Sequence, residues 1–335
     1  MPTKEPTFEL ITCPVCNQTV TTPAVARFTS QQAANHFCTP ARDASRNVAY
    51  RQVIEDLWKR DFAEIYTCEH CTHGFAWPYA GGDSRFYNLM HQNAGYPTMR
   101  WEYEAFVKAL SPGATGKHLD IGTGDGSFLK LIPSTWERCA TESTDVLREQ
   151  LKAKGIHTFA SLEEAVAQAS HTFDSVTMFQ VIEHIADFRP MLAGIRALLK
   201  PGGRVGLSVP HGGFKTTQER LTHCADMPPN HVNRWTPKSL SLALEQTGFT
   251  QVEPILQKVN KFGALKSQAA LKTLGVAVNK PRSLTAQFYR IKSRPMRQAL
   301  FSLSGGVQIL TLLPYLGEIA QPQEFLCAAR APEAD

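Results

Sequence analysis

The sequence predicts an α/β fold: a mainly parallel sheet with helices on both faces, a small module before it and a helical insertion late in the chain. Three observations point there. From about residue 100, short apolar runs alternate with amphipathic ones in strand–helix order. A glycine-rich turn, "DIGTGDG", follows the first of these strands directly. Two Cys-x-x-Cys pairs precede the alternation.

Taken in order, the part up to about Tyr79 reads as irregular, with "RNVAYRQVIEDLWKR" as a short helix inside it. "AWPYAGGDSRFYN" is a linker rich in Gly, Pro and aromatic residues. "WEYEAFVKAL" has helical spacing, "KHLDI" is a short buried strand, and "SFLKLI" opens a helix ending near Pro133. "ERCATES" is a second strand and "TDVLREQLKAKG" a helix closed by Gly155. In "SLEEAVAQAS", Ser161 caps a helix and Glu164 completes a capping box. "FDSVTMFQVI" is a strand, and "FRPMLAGIRALLKPGG" a helix with Pro190 in its first turn and Pro201-Gly202 at its end. "RVGLSVP" (strand), "PKSLSLALEQTG" (helix) and "TQVEPILQKV" (strand) continue the rhythm, and "EFLCAARAP" is a last strand. The expected boundaries are 1–80 for the module, 81–261 for the α/β domain, 262–320 for the insertion and 321–335 for the last strand and tail.

Apolar content of 43% over 335 residues suffices for a core and suggests roughly two domains. "MPTKEPTFEL" does not read as a secretory signal, and eight cysteines in a chain this long do not read as a disulfide scaffold, so the expected compartment is the reducing cytoplasm. The net charge of +5 is uneven: residues 251–320 hold ten basic and two acidic residues, a balance of +8, leaving −3 for the rest. A local contact with something anionic follows, rather than a general nucleic-acid coat.

Gly122, Gly124 and Gly126 allow a tight turn and let a ligand touch the main chain. Packing is the alternative reason for such glycines. A dinucleotide fingerprint would need glycine at position 127, where Ser127 stands, and the P-loop lysine is missing. Glu142 closes the next strand, where an acidic side chain can take both hydroxyls of a ribose.

Together, "LDIGTGDG", "ATES", "FDSVTMFQVIEHI" and "LLKPGGRVGLSVP" strongly resemble the class I S-adenosylmethionine-dependent methyltransferases, over about Trp101 to Val259 plus the last strand. The resemblance implies a Rossmann-like sheet. It implies that Gly122, Thr123 and Gly124 hold the amino-acid end of the cofactor, with Asp120 beneath, and that Glu142 binds the ribose. Ala160–Ser161 and Phe179–Gln180 would flank the adenine and the methionyl part. Catalysis would come from alignment and exclusion of water.

On the acceptor side, His184 should face the cleft, and His231 in "PPNHVNRWTPKSL" occupies a loop where similar O- and C-methyltransferases carry a histidine near the acceptor. A structural role bonding a carbonyl is the alternative for His231; His211 and His223 read as loop residues. Ubiquinone-pathway relatives use an ExxEH run for a divalent cation. Here Gln180 replaces its first carboxylate, before Glu183 and His184, so catalytic magnesium is not expected.

Cys13, Cys16, Cys68 and Cys71 have the knuckle form of a zinc ribbon, hence a closed structural site; redox use of one pair is the alternative. His36, Cys38, His70 and His73 are possible substitutes. Many similar bacterial enzymes begin with such a module, which implies that it shapes one wall of the acceptor site. "SRFYNLMHQNAGY" would then cover the cofactor through Tyr87 and Tyr96.

Within 262–320, "ALFSLSGGVQILTLLPYLG" is uncharged, yet Gly305-Gly306 and Pro314 argue against a transmembrane helix. It reads as a hairpin packed on the sheet or used for dimerisation, or as an element lying on anionic headgroups at the inner membrane face. The expected activity is methyl transfer to oxygen or carbon of a small-molecule, sugar or lipid-linked acceptor. The alternatives are an RNA- or protein-directed methyltransferase, disfavoured because the early part lacks a basic stripe interleaved with aromatic residues, and a non-catalytic cofactor-binding interaction protein.

Overall fold

A computed structural model describes residues 10–90, 99–110, 115–288, 291 and 293–333. The first part is not irregular. Strands β1 (Ala26–Thr29), β2 (Phe62–Thr67) and β3 (Gly74–Trp77) pair antiparallel, with helices α1 (Ser30–Phe37) and α2 (Ala44–Trp58) between the first two. The sequence conceals them because two of the strands are only four residues long. A later strand, β9 (Asn233–Arg234), completes this sheet against β3. The module is thus laced into the loop that carries His231. A helix α3 (Ser84–Met90) follows it.

The second sheet has seven strands. Helix α4 (Trp101–Lys108) leads to β4 (Gly116–Ile121), β5 (Trp136–Thr141), α5 (Asp145–Lys152), β6 (His157–Phe159), α6 (Leu162–Ala169) and β7 (Phe173–Phe179). Then come α7 (Phe188–Leu198), β8 (Leu199–Pro210), α8 (Gly212–Thr222), α9 (Pro237–Gln246), β10 (Thr250–Leu256) and β11 (Glu324–Arg330). The strand order is β10-β11-β8-β7-β4-β5-β6, parallel except for β11, which runs antiparallel to both its neighbours. The chain leaves β4 toward β5 and later returns to β7 on its other side. Such a reversal opens a crevice at the carboxyl ends of these strands.

Two local expectations are corrected. "SFLKLI" forms only one 3₁₀ turn, Phe128–Lys130, because Asp125 holds Ser127 in a turn and Pro133 follows closely. "LLKPGG" does not end as helix: β8 begins at Leu199 and takes in Pro201-Gly202-Gly203, with Gly203 accepting from Ala331. The cap at α6 is also modified: Ser161 accepts from Glu164 N–H (3.2 Å), but the Glu164 carboxylate reaches Ala160 N–H (2.6 Å) rather than that of Ser161.

Between β10 and β11 lie α10 (Lys261–Asn279), α11 (Leu284–Gln287), α12 (Arg294–Leu312) and α13 (Leu316–Ile319). Gly305-Gly306 does not break α12: Gly305 faces Thr273 of α10, where the absence of a side chain lets the helices approach.

Candidate active site

The crevice is built from β4 outward. His118, Asp120, Ser175 and Thr177 form a buried polar ladder between β4 and β7: His118 bonds Ser175 (2.7 Å) and Thr177 (3.1 Å), and Thr177 donates to Asp120 (2.7 Å). Burial pushes the Asp120 carboxyl up to about 7 and His118 down to about 3.

At the tip of β4, Gly122, Gly124 and Gly126 all have φ between 58° and 76°. Gly122 is exposed, and a Cβ there would lie 2.9 Å from Val181 Cγ2. Gly124 N–H donates to Glu142 Oε2 (3.1 Å), and Thr144 N–H donates to Oε1 (2.8 Å). Glu142 N–H in turn donates to the Phe159 carbonyl at the end of β6, just before Ser161. Thr123 N–H reaches the Thr141 carbonyl at the end of β5. The tips of β4, β5 and β6 are thereby locked together, and the glycine turn, exposed at Gly122 and buried at Gly124 and Gly126, sits above a carboxylate.

Gln180, with φ +58°, ends β7 and donates toward Glu102 and Ser208 (both 3.4 Å). The Phe179 ring packs among Phe128 and Tyr103, so its main chain rather than its ring borders the crevice. Glu102 on α4 is fully buried, has one oxygen without a bonding partner, and is pushed by burial up to about 7. The sequence reading missed it, because an acidic residue in the first turn of a helix reads as a solvated dipole partner.

On the other side of Gln180, a cavity of about 380 Å³ is lined by Gln180, Glu183, His184, Lys215 and His231. His231 Nδ1 lies 2.7 Å from Asp226 Oδ1, and His184 Nδ1 lies 2.6 Å from the Asn230 carbonyl. Both contacts suit Nδ1–H donors, which leaves each Nε2 as an acceptor. The two rings meet at 4.8 Å between centroids. Burial alone would raise Asp226, but His231, Lys215 and Arg234 hold its carboxyl well below the usual range. Buried Glu183 is pushed up to about 7, mainly by desolvation. Glu183, His184 and His231 bring ligand atoms within 4.8 Å of one another, a set able to hold a cation as well as a proton. Asp226 was also missed: no strand or helix spacing ties it to His231. Tyr87 lies beside His184 (6.0 Å) on this side of the site, and Tyr96 is outside the described residues. His211 and His223 cap the two ends of α8. A larger cavity, about 600 Å³, lies behind the glycine turn beside Lys130, Trp136 and Lys154 and includes neither Glu142 nor His231.

The four cysteines converge. Cys13 and Cys71 sulfurs are 3.5 Å apart, as are Cys16 and Cys68, and all four lie within 4.8 Å. Tetrahedral zinc with bonds of about 2.3 Å needs sulfurs about 3.8 Å apart, so the set fits. Asn17 and Thr72, each just after a pair's second cysteine, have φ near +60°, giving two matched knuckles. His73 is not a ligand: with Tyr79 it bonds Asn233 Oδ1 (3.1 and 2.5 Å), while Asn233 Nδ2 donates to the Ile182 and Ile185 carbonyls. Asn233 therefore braces the turn bearing Glu183 and His184 against the cysteine module. Cys38 lies in a separate apolar cluster.

This arrangement coincides with a recognisable domain. Residues 98–253 match a family model described as a methyltransferase domain. These residues, a little under half of the chain, thus carry a methyltransferase domain on a Rossmann-like seven-strand sheet. It is 29% identical over 194 residues to the ubiquinone biosynthesis O-methyltransferase of Dinoroseobacter shibae, covering 53% of this chain and 76% of that one. It is 30% identical over 112 residues to a ubiquinone/menaquinone biosynthesis C-methyltransferase of Desulfotalea psychrophila, covering 31% of this chain and 45% of that one. Among solved structures, phosphoethanolamine N-methyltransferase 2 of Haemonchus contortus with S-adenosyl-L-methionine aligns with TM-score 0.46 and 18% identity, over 70% of this chain and 53% of that one.

Proposed function

We propose that the protein methylates an oxygen or carbon atom of a small-molecule acceptor, sugar-like or lipid-linked, in the cytoplasm. The observation that carries this reading is the bond from Gly124 N–H to Glu142, which joins the glycine turn to an acidic side chain at the crevice.

Gly122, Thr123 and Gly124 would hold the amino-acid end of S-adenosylmethionine above Asp120. Glu142 would take the ribose hydroxyls: each of its oxygens accepts one N–H, and a carboxylate has about four acceptor positions. The main chain at Ser161 would border the adenine, since its hydroxyl is spent on the helix cap. Phe179 and Gln180 would border the methionyl part. When bound, the cofactor supplies a methyl group on a sulfonium. The chain's part is to align the acceptor and keep water out. Asp226 orients His231 so that Nε2 can accept a proton from the acceptor, and His184 presents a second Nε2 in the same cavity. Zinc would hold Cys13, Cys16, Cys68 and Cys71 as a structural site.

The test is calorimetry with S-adenosylhomocysteine, followed by transfer of labelled methyl into a cell extract. Wild type should take up the ligand and label a small molecule, and Gly124→Arg should do neither. No uptake by folded wild type would overturn the proposal.

A further inference from the structure

We propose that the outer face of α12, with the start of α10, docks on an anionic phospholipid bilayer and sets the acceptor cavity at its surface. The lipid-linked acceptor that this would serve rests on the methyltransferase reading; the docking itself does not.

On α12, Met296, Leu303, Val307 and Leu310, with Leu313 just past its end, recur at spacings of three, four and seven residues. They form one apolar stripe, with Leu303 and Leu310 69% and 68% exposed. No charged residue falls between Gln298 and Gly317. Phe262 at the start of α10 is 60% exposed and carries Lys266 over its ring. The opposite face of α12 is occupied: Leu312 is buried with Leu265, Gly305 meets Thr273, and Lys272 Nζ bonds Thr311 (3.0 Å). Arg294–Ile319 is long and apolar enough to cross a membrane. These contacts instead hold α12 along α10, so it lies on a surface rather than spanning one.

Charge selects the occupant. Lys261, Lys266 and Arg294 are exposed on these helices, and Lys280 and Arg282 on the turn that follows α10. Among residues 254–320 the one carboxylate is Glu318, and it is paired with Arg220. A second copy would bring only more positive charge to the surroundings of the stripe, whereas anionic headgroups are attracted, by about 1 kcal/mol per basic residue near the surface. The position suits delivery. Gln323 lines the acceptor cavity and also a groove formed by Asn260, Gly263 and Ser267 beside exposed Phe262.

Flotation of the full, zinc-loaded chain tests this, with vesicles of phosphatidylcholine alone or mixed with phosphatidylglycerol. Wild type should float with the anionic vesicles and not with the neutral ones. The double variant Leu303→Glu/Leu310→Glu should lose about tenfold or more of the bound fraction. Val146→Glu, at an exposed apolar residue on α5, should lose none. Unchanged melting and unchanged S-adenosylhomocysteine affinity in the double variant would show it folded. Equal flotation of the double variant, or no flotation of wild type, overturns the docking. So does a wild-type dimer that the double variant dissolves without any vesicle binding, which assigns the face to a second copy. Failure to bind S-adenosylhomocysteine while vesicle binding persists sinks the methyltransferase reading and leaves the docking standing.

Discussion

The two ends of the crevice, proposed for cofactor and for acceptor, are built in different ways. The end proposed for the cofactor is local: Gly122 and Glu142 directly follow strands, Gly124 and Ser161 lie within three residues of a strand end, and neighbouring parallel strands bring these tips close enough to bond one another. The acceptor end is assembled from segments far apart in the chain. Glu102, Gln180, Glu183, His184, Lys215, Asp226 and His231 come from α4, the end of β7, α8 and the loop before β9, and the cysteine module holds that loop through Asn233. Parallel-strand topology thus fixes one end, while long-range hydrogen bonds fix the other. On the proposed function, the first end would serve a ligand shared by many enzymes, and the second would be free to vary with the acceptor.

The sharpest way to separate the ends is His231→Ala. It should lower kcat by about 10²–10⁴, the usual range for a positioned proton acceptor, with S-adenosylhomocysteine affinity unchanged. Asp226→Asn should move kcat in the same direction by less. If either variant weakens cofactor binding as much as turnover, the two ends are not separable. Gly122→Val strikes the other end. Its φ of +70° and the close Val181 methyl impose strain of about 1–3 kcal/mol, so calorimetry should read a tenfold to hundredfold loss of cofactor affinity.

Glu102 lies at the seam and gives a pH signature. Its folded pKa is raised, from 4.5 to about 7, so the folded state holds the proton that the unfolded state releases. Its contribution is greatest below about pH 4.5 and is lost as pH rises toward 7, by up to about 3 kcal/mol. Glu102→Gln should therefore be more stable than wild type in denaturant melts at pH 8 and little different near pH 4.5. An unchanged pH slope would count against the buried neutral acid. The smallest effect is expected from Asn233→Ala. Loss of its bonds to the Ile182 and Ile185 carbonyls should cost about 1–3 kcal/mol of stability and lower turnover while sparing cofactor affinity. Stripping zinc with a chelator should reproduce that pattern if the module acts through Asn233.

The same contrast explains what the sequence made legible. Gly122, Glu142 and the four cysteines stood out because each lies in a short motif, and the fold brings the glycine turn to Glu142 and the four sulfurs together. The 3₁₀ turn at Phe128–Lys130 was misread as a helix because apolar residues at helical spacing outweighed the nearby Pro133. β1 and β3 escaped because four residues are too few for alternation to register. Asp226 and Asn233 carry no local signal: the fold brings Asp226 to His231 and Lys215, and Asn233 to His73, Tyr79 and the Ile182 and Ile185 carbonyls. His231 and His184 stood out in the sequence, whereas the Asp226 partner of His231 did not.

On the proposed function, Glu142 and the glycine turn form one cofactor cradle opening toward His231. A crystal structure with S-adenosylhomocysteine should show both ribose hydroxyls on the Glu142 carboxylate, the amino-acid end against Gly122 and Gly124, and the sulfur facing the cavity that holds His184 and His231. A nucleoside bound away from Glu142, or a sulfur turned toward the Lys130–Lys154 cavity, would contradict it.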